Sequence, residues 1–224
     1  MYNTTTNEEP KHQIKRKKSP RKKSPVRIHK VHHERPKKPI SKIKNVVLDL
    51  DETLISSIEI PELNSNPKLL EKYNERVKLF KHYKMDDDFI ITERPGLQEF
   101  LDFLFENYKV SVWTAASKDY ALFIVKNIIL SKPGRKLEVQ MYSEHCDSSK
   151  QKTGCPKQLN QLWSYANFNP NDTLIIDDNK HVINKQSNMV IAAKPFNFLQ
   201  KNSEKDTFLL CKVRKQILDL SFKN

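Results

Sequence analysis

The stretch Asn45-Val46-Val47-Leu48-Asp49-Leu50-Asp51-Glu52-Thr53-Leu54 constrains this chain more than any other. It opens as a β-branched apolar run, the pattern of a buried parallel strand. It ends in two carboxylates spaced i, i+2, which project to one side of an extended chain. Acidic side chains are rarely buried unless they are paired or hold a metal. The spacing therefore predicts that Asp49 and Asp51 share a site in which a divalent cation relieves their repulsion, and oxygen donors suit Mg²⁺. A lone D-x-D also fits a strand that runs into a solvated acidic turn, so the remaining strand ends decide between the two.

Two other apolar runs end in polar clusters. Tyr108-Lys109-Val110-Ser111-Val112-Trp113 leads into Thr114-Ala115-Ala116-Ser117, and Thr173-Leu174-Ile175-Ile176 leads into Asp177-Asp178-Asn179. Residues 89–92, 137–142 and 189–192 read as shorter strands. Helical spacing covers about 68–82, the stripe Leu97, Phe100, Leu101, Leu104 and Phe105 behind Pro95, about 118–130, and about 203–220. Residues 61–67 and 143–156 read as loops, Asp86-Asp87-Asp88 as a solvated turn, and 157–163 as a short helical stretch. Strands alternating with helices predict an α/β doubly wound fold with a mainly parallel sheet. Ligands bind beyond the carboxyl ends of such strands, where Asp49/Asp51, Thr114 and Asp177/Asp178 are expected to meet.

At 224 residues and 37% apolar content the chain can bury one sizeable core. No run approaches the ~18 apolar residues of a membrane span, and residues 1–10 carry no apolar signal-peptide core. Cys146, Cys155 and Cys211 form no C-x-x-C pair, which predicts free thiols in a reducing, intracellular compartment. His145-Cys146 with Cys155 lacks a fourth ligand at zinc spacing. The net charge of +13 is concentrated, because residues 1–44 hold 15 Lys/Arg against 3 Asp/Glu. This composition predicts a basic, disordered tail over residues 1–40 ahead of a folded domain at 41–224. The Lys15–Lys23 block suits a nuclear address read by an import receptor, a nucleic-acid-binding arm, or a solubilising tail. Ser19 and Ser24, each before proline, are candidate phosphorylation sites.

The motifs also carry a family resemblance. Asp49-Leu50-Asp51-Glu52-Thr53-Leu54 resembles the first signature of the haloacid dehalogenase (HAD) superfamily phosphotransferases. Trp113-Thr114-Ala115 resembles the second, and Ile175-Ile176-Asp177-Asp178 the fourth. The D-x-D-E-T-L variant, Arg94-Pro95-Gly96, and Thr114-Ala115 with Tyr120-Ala121 after it narrow the match. They resemble the FCP-homology branch, phosphatases acting on the RNA polymerase II carboxy-terminal domain (CTD) and related phosphoproteins. The resemblance spans about residues 43–220. It implies a HAD-like sheet with helices on both faces, a small insert at about 55–92 after the first strand, and no large cap domain.

The resemblance further implies a Mg²⁺-dependent protein serine/threonine phosphatase, with a phosphoprotein such as the CTD as partner. Asp49 would be the nucleophile, and Asp51 the general acid and then base, its carbonyl also a Mg²⁺ ligand. Thr53 would position this loop, and Thr114 would donate its hydroxyl to the phosphoryl oxygens. Lys157, in Cys155-Pro156-Lys157-Gln158, would supply the cation, with Lys150 and Lys152 as competitors. Asp178 would ligate the metal, with Asp177 beside it as ligand or supporting partner. Ser143 departs from the family pattern, which often has arginine before the Glu144-His145-Cys146 element. The alternatives are a nucleic-acid end phosphatase of the superfamily and an inactive phosphoprotein-binding relative.

Overall fold

The computed structural model describes residues 42–164 and 168–222. The basic tail, with Ser19 and Ser24, lies outside the described residues. Strand β1 (Asn45–Leu48) is central in a five-stranded parallel sheet. It pairs with β5 (Lys109–Trp113) on one side and β7 (Thr173–Asp177) on the other, and β6 (Leu137–Met141) and β8 (Val190–Ala192) flank these. Leu48 sits opposite both Val112 and Ile176. This shared register brings the ends of three strands level, so the polar residues that follow each one converge. The chain order reverses on either side of β1, which makes this the crevice of a doubly wound sheet.

Alternation along the strands divides the interior between the two faces of the sheet. Val46, Leu48, Val110, Val112, Leu174 and Ile176 share one apolar cluster with residues of α3 (Leu97–Asn107), α4 (Lys118–Ile124) and α7 (Arg214–Phe222). Val47, Trp113 and Ile175 join a second cluster with Cys146 of α5 (Ser143–Thr153) and Val182 of α6 (Lys180–Lys185). Helices thus cover both faces, and residues 114–157 contribute to these layers through α4, β6 and α5.

The insert after β1 is more ordered than its sequence suggests. β2 (Ile55–Glu59), β4 (Phe89–Glu93) and β3 (His82–Met85) form an antiparallel sheet in the order β2-β4-β3. The expected loop at 61–67 contains a helix, α1 (Ile60–Ser65), opened by proline in its first turn. The helix expected over 68–82 stops sooner: α2 (Pro67–Arg76) continues only as a 3₁₀ turn, Val77–Leu79, before β3. Lys84 and Asp87 pair across the β3–β4 turn, which includes Asp86 at φ 45°. The expected C-terminal helix at 203–220 is a 3₁₀ turn at Ser203–Lys205, a π-helical turn at Leu209–Val213, and α7. The loop expected at 143–156 is mostly α5.

Candidate active site

Beyond Leu48 the chain turns sharply. The Asp49 amide still donates to the Ile176 carbonyl at 3.0 Å, and the Leu54 and Ile55 amides both return to the Leu50 carbonyl, at 2.8 and 3.1 Å. Glu52 takes a left-handed φ of 56° inside this turn, a conformation uncommon outside glycine. The turn gives the two side chains different partners. Asp49 is buried and faces Lys157. The Asp51 carboxylate instead accepts the Tyr120 hydroxyl at 2.6 Å and the Ser57 hydroxyl at 3.4 Å.

Lys157 is buried, and its Nζ donates to Asp49 Oδ1 and, at 2.8 Å, to Asp177 Oδ2. Its position is built from two directions. Gly154, at φ 73°, ends α5 in the left-handed conformation common at helix C-termini. The Ser149 hydroxyl then donates to the Cys155 carbonyl at 2.8 Å and accepts the Gln158 amide at 3.1 Å. From α6's end, Gln186 Nε2 donates to the Lys157 carbonyl at 2.6 Å while its Oε1 accepts the Leu159 amide at 3.0 Å. Lys150 and Lys152, by contrast, are exposed on α5.

Asp177 is buried at the end of β7, and its Oδ1 accepts the Asn179 amide at 2.8 Å. Asp178 is half-buried and accepts the Thr53 hydroxyl at 3.3 Å. Among the described residues, Asp49, Asp177 and Asp178 form the one acidic trio whose donor atoms all lie within 4.8 Å of one another. Hard carboxylate oxygens facing one lysine leave net negative charge, the donor chemistry that Mg²⁺ takes. The side chain of Asp51 lies outside this trio, so only its carbonyl could serve a metal there. Thr114 is buried, and its Oγ1 accepts the Ala116 amide at 3.1 Å, which leaves the O–H free to donate.

The electrostatics follow from crowding carboxylates where two of them are buried. Burial, then the charge of Asp49, pushes the Asp177 carboxyl up to about 6. Burial with the charges of Asp49 and Glu52 lifts Asp178 to about 6 as well. The Asp51 carboxyl is also raised, mainly by burial and partly by Asp49, against the hydroxyl bonds of Tyr120 and Ser57 that lower it. At Lys157 burial opposes the charge, but Asp49 and Asp177 together prevail and raise its pKa. Burial pushes the Cys146 thiol up to about 11, so this residue beside Thr114 is an inert neutral thiol.

Three supporting residues escaped the sequence reading. Tyr120 and Arg94 stood in the motifs quoted above, but nothing in one sequence reveals what they contact. Ser57 lay in the unrecognised β2. Arg94 is fully buried; its Nη1 donates to the Thr53 and Lys194 carbonyls, both at 2.9 Å, and it pairs with Asp206 at 3.0 and 3.3 Å. Phe208 and Phe196 stack on the guanidinium, with ring centroids 4.7 and 5.4 Å from its carbon. Arg94 thereby ties the loop after β1 to the segment after β8.

Residues 44–222 match the model of the NLI interacting factor-like phosphatase family. The CTD phosphatase-like protein 355R of Invertebrate iridescent virus 3 is 40% identical over 186 residues, covering 79% of this chain and 96% of that protein. The 355R protein of Invertebrate iridescent virus 6 is 39% identical over 175 residues, covering 75% and 94%. Among solved structures, Fcp1, an RNA polymerase II CTD phosphatase, superposes with a TM-score of 0.49 at 19% identity. That superposition covers 78% of this chain and spans half of the solved one. With the family match running from the start of β1 to the end of α7, the chain belongs to the NLI interacting factor-like phosphatase family.

Proposed function

We propose that this protein is a Mg²⁺-dependent phosphatase of phosphoserine and phosphothreonine in proteins, acting through an aspartyl-phosphate on Asp49. The observation that carries this reading is the division of labour between the two acids after β1. Asp49 is buried against Lys157, while Asp51 is held apart by Tyr120 with its pKa raised. One carboxylate lies against a buried ammonium group, a placement suited to a nucleophile. The other is moved toward neutrality, as a proton carrier requires.

In the first step an Asp49 carboxylate oxygen attacks phosphorus, the bond from phosphorus to the seryl or threonyl oxygen breaks, and Asp51 gives its proton to that leaving oxygen. In the second step water attacks the acyl phosphate while Asp51 takes back a proton. The bond from phosphorus to Asp49 breaks, inorganic phosphate leaves, and both carboxyls return to their starting states. Lys157 and the Thr114 hydroxyl face the negative charge spread over the phosphoryl oxygens. The trio of Asp49, Asp177 and Asp178 would hold the metal, which when bound offsets charge on the phosphoryl group. Thr53 orients Asp178, and Arg94 holds the Thr53 carbonyl.

The reading is tested by acid-quenching the enzyme during turnover of a Ser-Pro phosphopeptide and analysing its peptides by mass spectrometry. A phosphoryl increment on the peptide containing Asp49, labile to hydroxylamine, is expected. Turnover with the increment on another residue would contradict the assignment of Asp49.

A further inference from the structure

The segment that follows β8 gathers lysines around a cavity. Lys194, Lys201, Lys205 and Lys212 are all exposed and line a cavity of about 400 Å³ walled by Phe196 and Phe208. Among the described residues none of these lysines pairs with a carboxylate. The two acids of the same segment turn inward to arginines. Glu204 meets Arg76 Nη2 at 2.5 Å, and Asp206 accepts from Arg94 at 3.0 and 3.3 Å and from the Phe208 amide at 2.7 Å. Residues 45–224 hold 25 Lys/Arg against 24 Asp/Glu, so four lysines around one cavity are a local concentration rather than a general surplus.

This cavity is joined to the catalytic loops by direct bonds. The Ala193 amide donates to the Asp177 carbonyl at 2.8 Å, and the Phe196 amide to the Glu52 carbonyl at 2.7 Å. Arg94 spans the Thr53 and Lys194 carbonyls, so a single guanidinium separates the cavity's rim from the loop after β1.

We propose that the cavity is a subsite for a second phosphorylated side chain on the same peptide, near the one being hydrolysed. The inference rests on the phosphoprotein reading above and deepens it. A phosphorylated side chain carries nearly two charges and three acceptor oxygens at neutral pH. Lysines are point charges on flexible stems, which suits a phosphate presented at variable spacing. Exposed lysines are screened by salt, with a Debye length of ~10 Å at ~0.1 M, so the preference they create is salt-sensitive.

The test compares singly and doubly phosphorylated Ser-Pro peptides, at several spacings, on wild type and on the Lys201→Ala/Lys205→Ala/Lys212→Ala variant. For wild type at low salt, kcat/KM for the doubly phosphorylated peptide is expected to exceed the singly phosphorylated value about tenfold, through KM, the scale of a few exposed charge contacts. In the variant, and in wild type at high salt, that ratio falls to about one. Fluorescence anisotropy in EDTA measures binding of the same peptides and of a single-stranded oligonucleotide. Turnover with a ratio of one in wild type overturns the subsite and leaves the phosphatase reading standing. Preferential, lysine-dependent binding without turnover supports the subsite and overturns the phosphatase reading. Neither turnover nor preferential binding overturns both. Lysine-dependent binding of the oligonucleotide in preference to the doubly phosphorylated peptide reassigns the cavity to nucleic acid.

Discussion

At Lys157 two large effects oppose each other. Taking an ammonium out of water favours its neutral form, and contact with Asp49 and Asp177 favours the charge. The carboxylates prevail, so the lysine stays charged throughout the working range of pH. Asp51 is balanced differently, because its main partner is the neutral Tyr120 hydroxyl, which stabilises the anion. Tyr120→Phe removes that bond and should raise the Asp51 pKa further. If protonated Asp51 is the acid of the first step, the alkaline limb of the kcat/KM profile then moves to higher pH, with kcat falling about tenfold. A profile whose alkaline limb stays in place would detach Asp51 from that role.

Asp177 and Asp178 supply a second pH signature. Both hold protons up to about 6 in the folded chain, against 3.8 for an ordinary aspartate. The folded state therefore binds more protons than the unfolded one between these values. The stability these groups contribute is complete below about pH 4 and is lost as pH rises through about 6. Metal binding needs both carboxylates free of protons. Mg²⁺ is thus expected to raise the melting temperature more at about pH 7 than at about pH 5, and an equal or larger rise at the lower pH would contradict the trio as its site.

The element that sets Lys157 is α5, which the sequence hid. Helices are read from apolar periodicity, and α5 buries only Cys146 and Ser149. A polar stretch between strands looks like a loop when its inward residue is a serine bonded to backbone. Ser149→Ala removes both the donor to Cys155 and the acceptor for Gln158. The expected cost is about 1–2 kcal/mol in urea unfolding. A drop in kcat of about tenfold should accompany it, since Lys157 loses its fixed approach. An unchanged kcat would show that α6 and Gln186 hold the lysine alone. The insert was obscured for a related reason: β3, His82–Met85, has no buried residue and is specified by pairing with β4. By contrast, β1, β5, β7 and α3 were legible because their apolar patterns serve burial directly. The motif positions Asp49, Thr114, Asp177 and Asp178 were legible as polar residues where such patterns end, whereas Lys157 follows the polar α5 and was singled out only by the family resemblance.

Across the whole domain, the parallel register brings three strand ends level, and the catalytic candidates need only the turns beyond them. Arg94 then joins the loop after β1 to the segment after β8, so loops far apart in sequence share one buried cation. The central claim is that Asp49 is the nucleophile in this arrangement. Phosphate release from a Ser-Pro phosphopeptide, measured with Mg²⁺ and with EDTA on wild type and on Asp49→Asn, tests it most directly. Release by wild type that depends on Mg²⁺ and falls at least ~10³-fold in the variant is the expected result, the scale of losing a nucleophile. Equal release by both proteins would contradict the account.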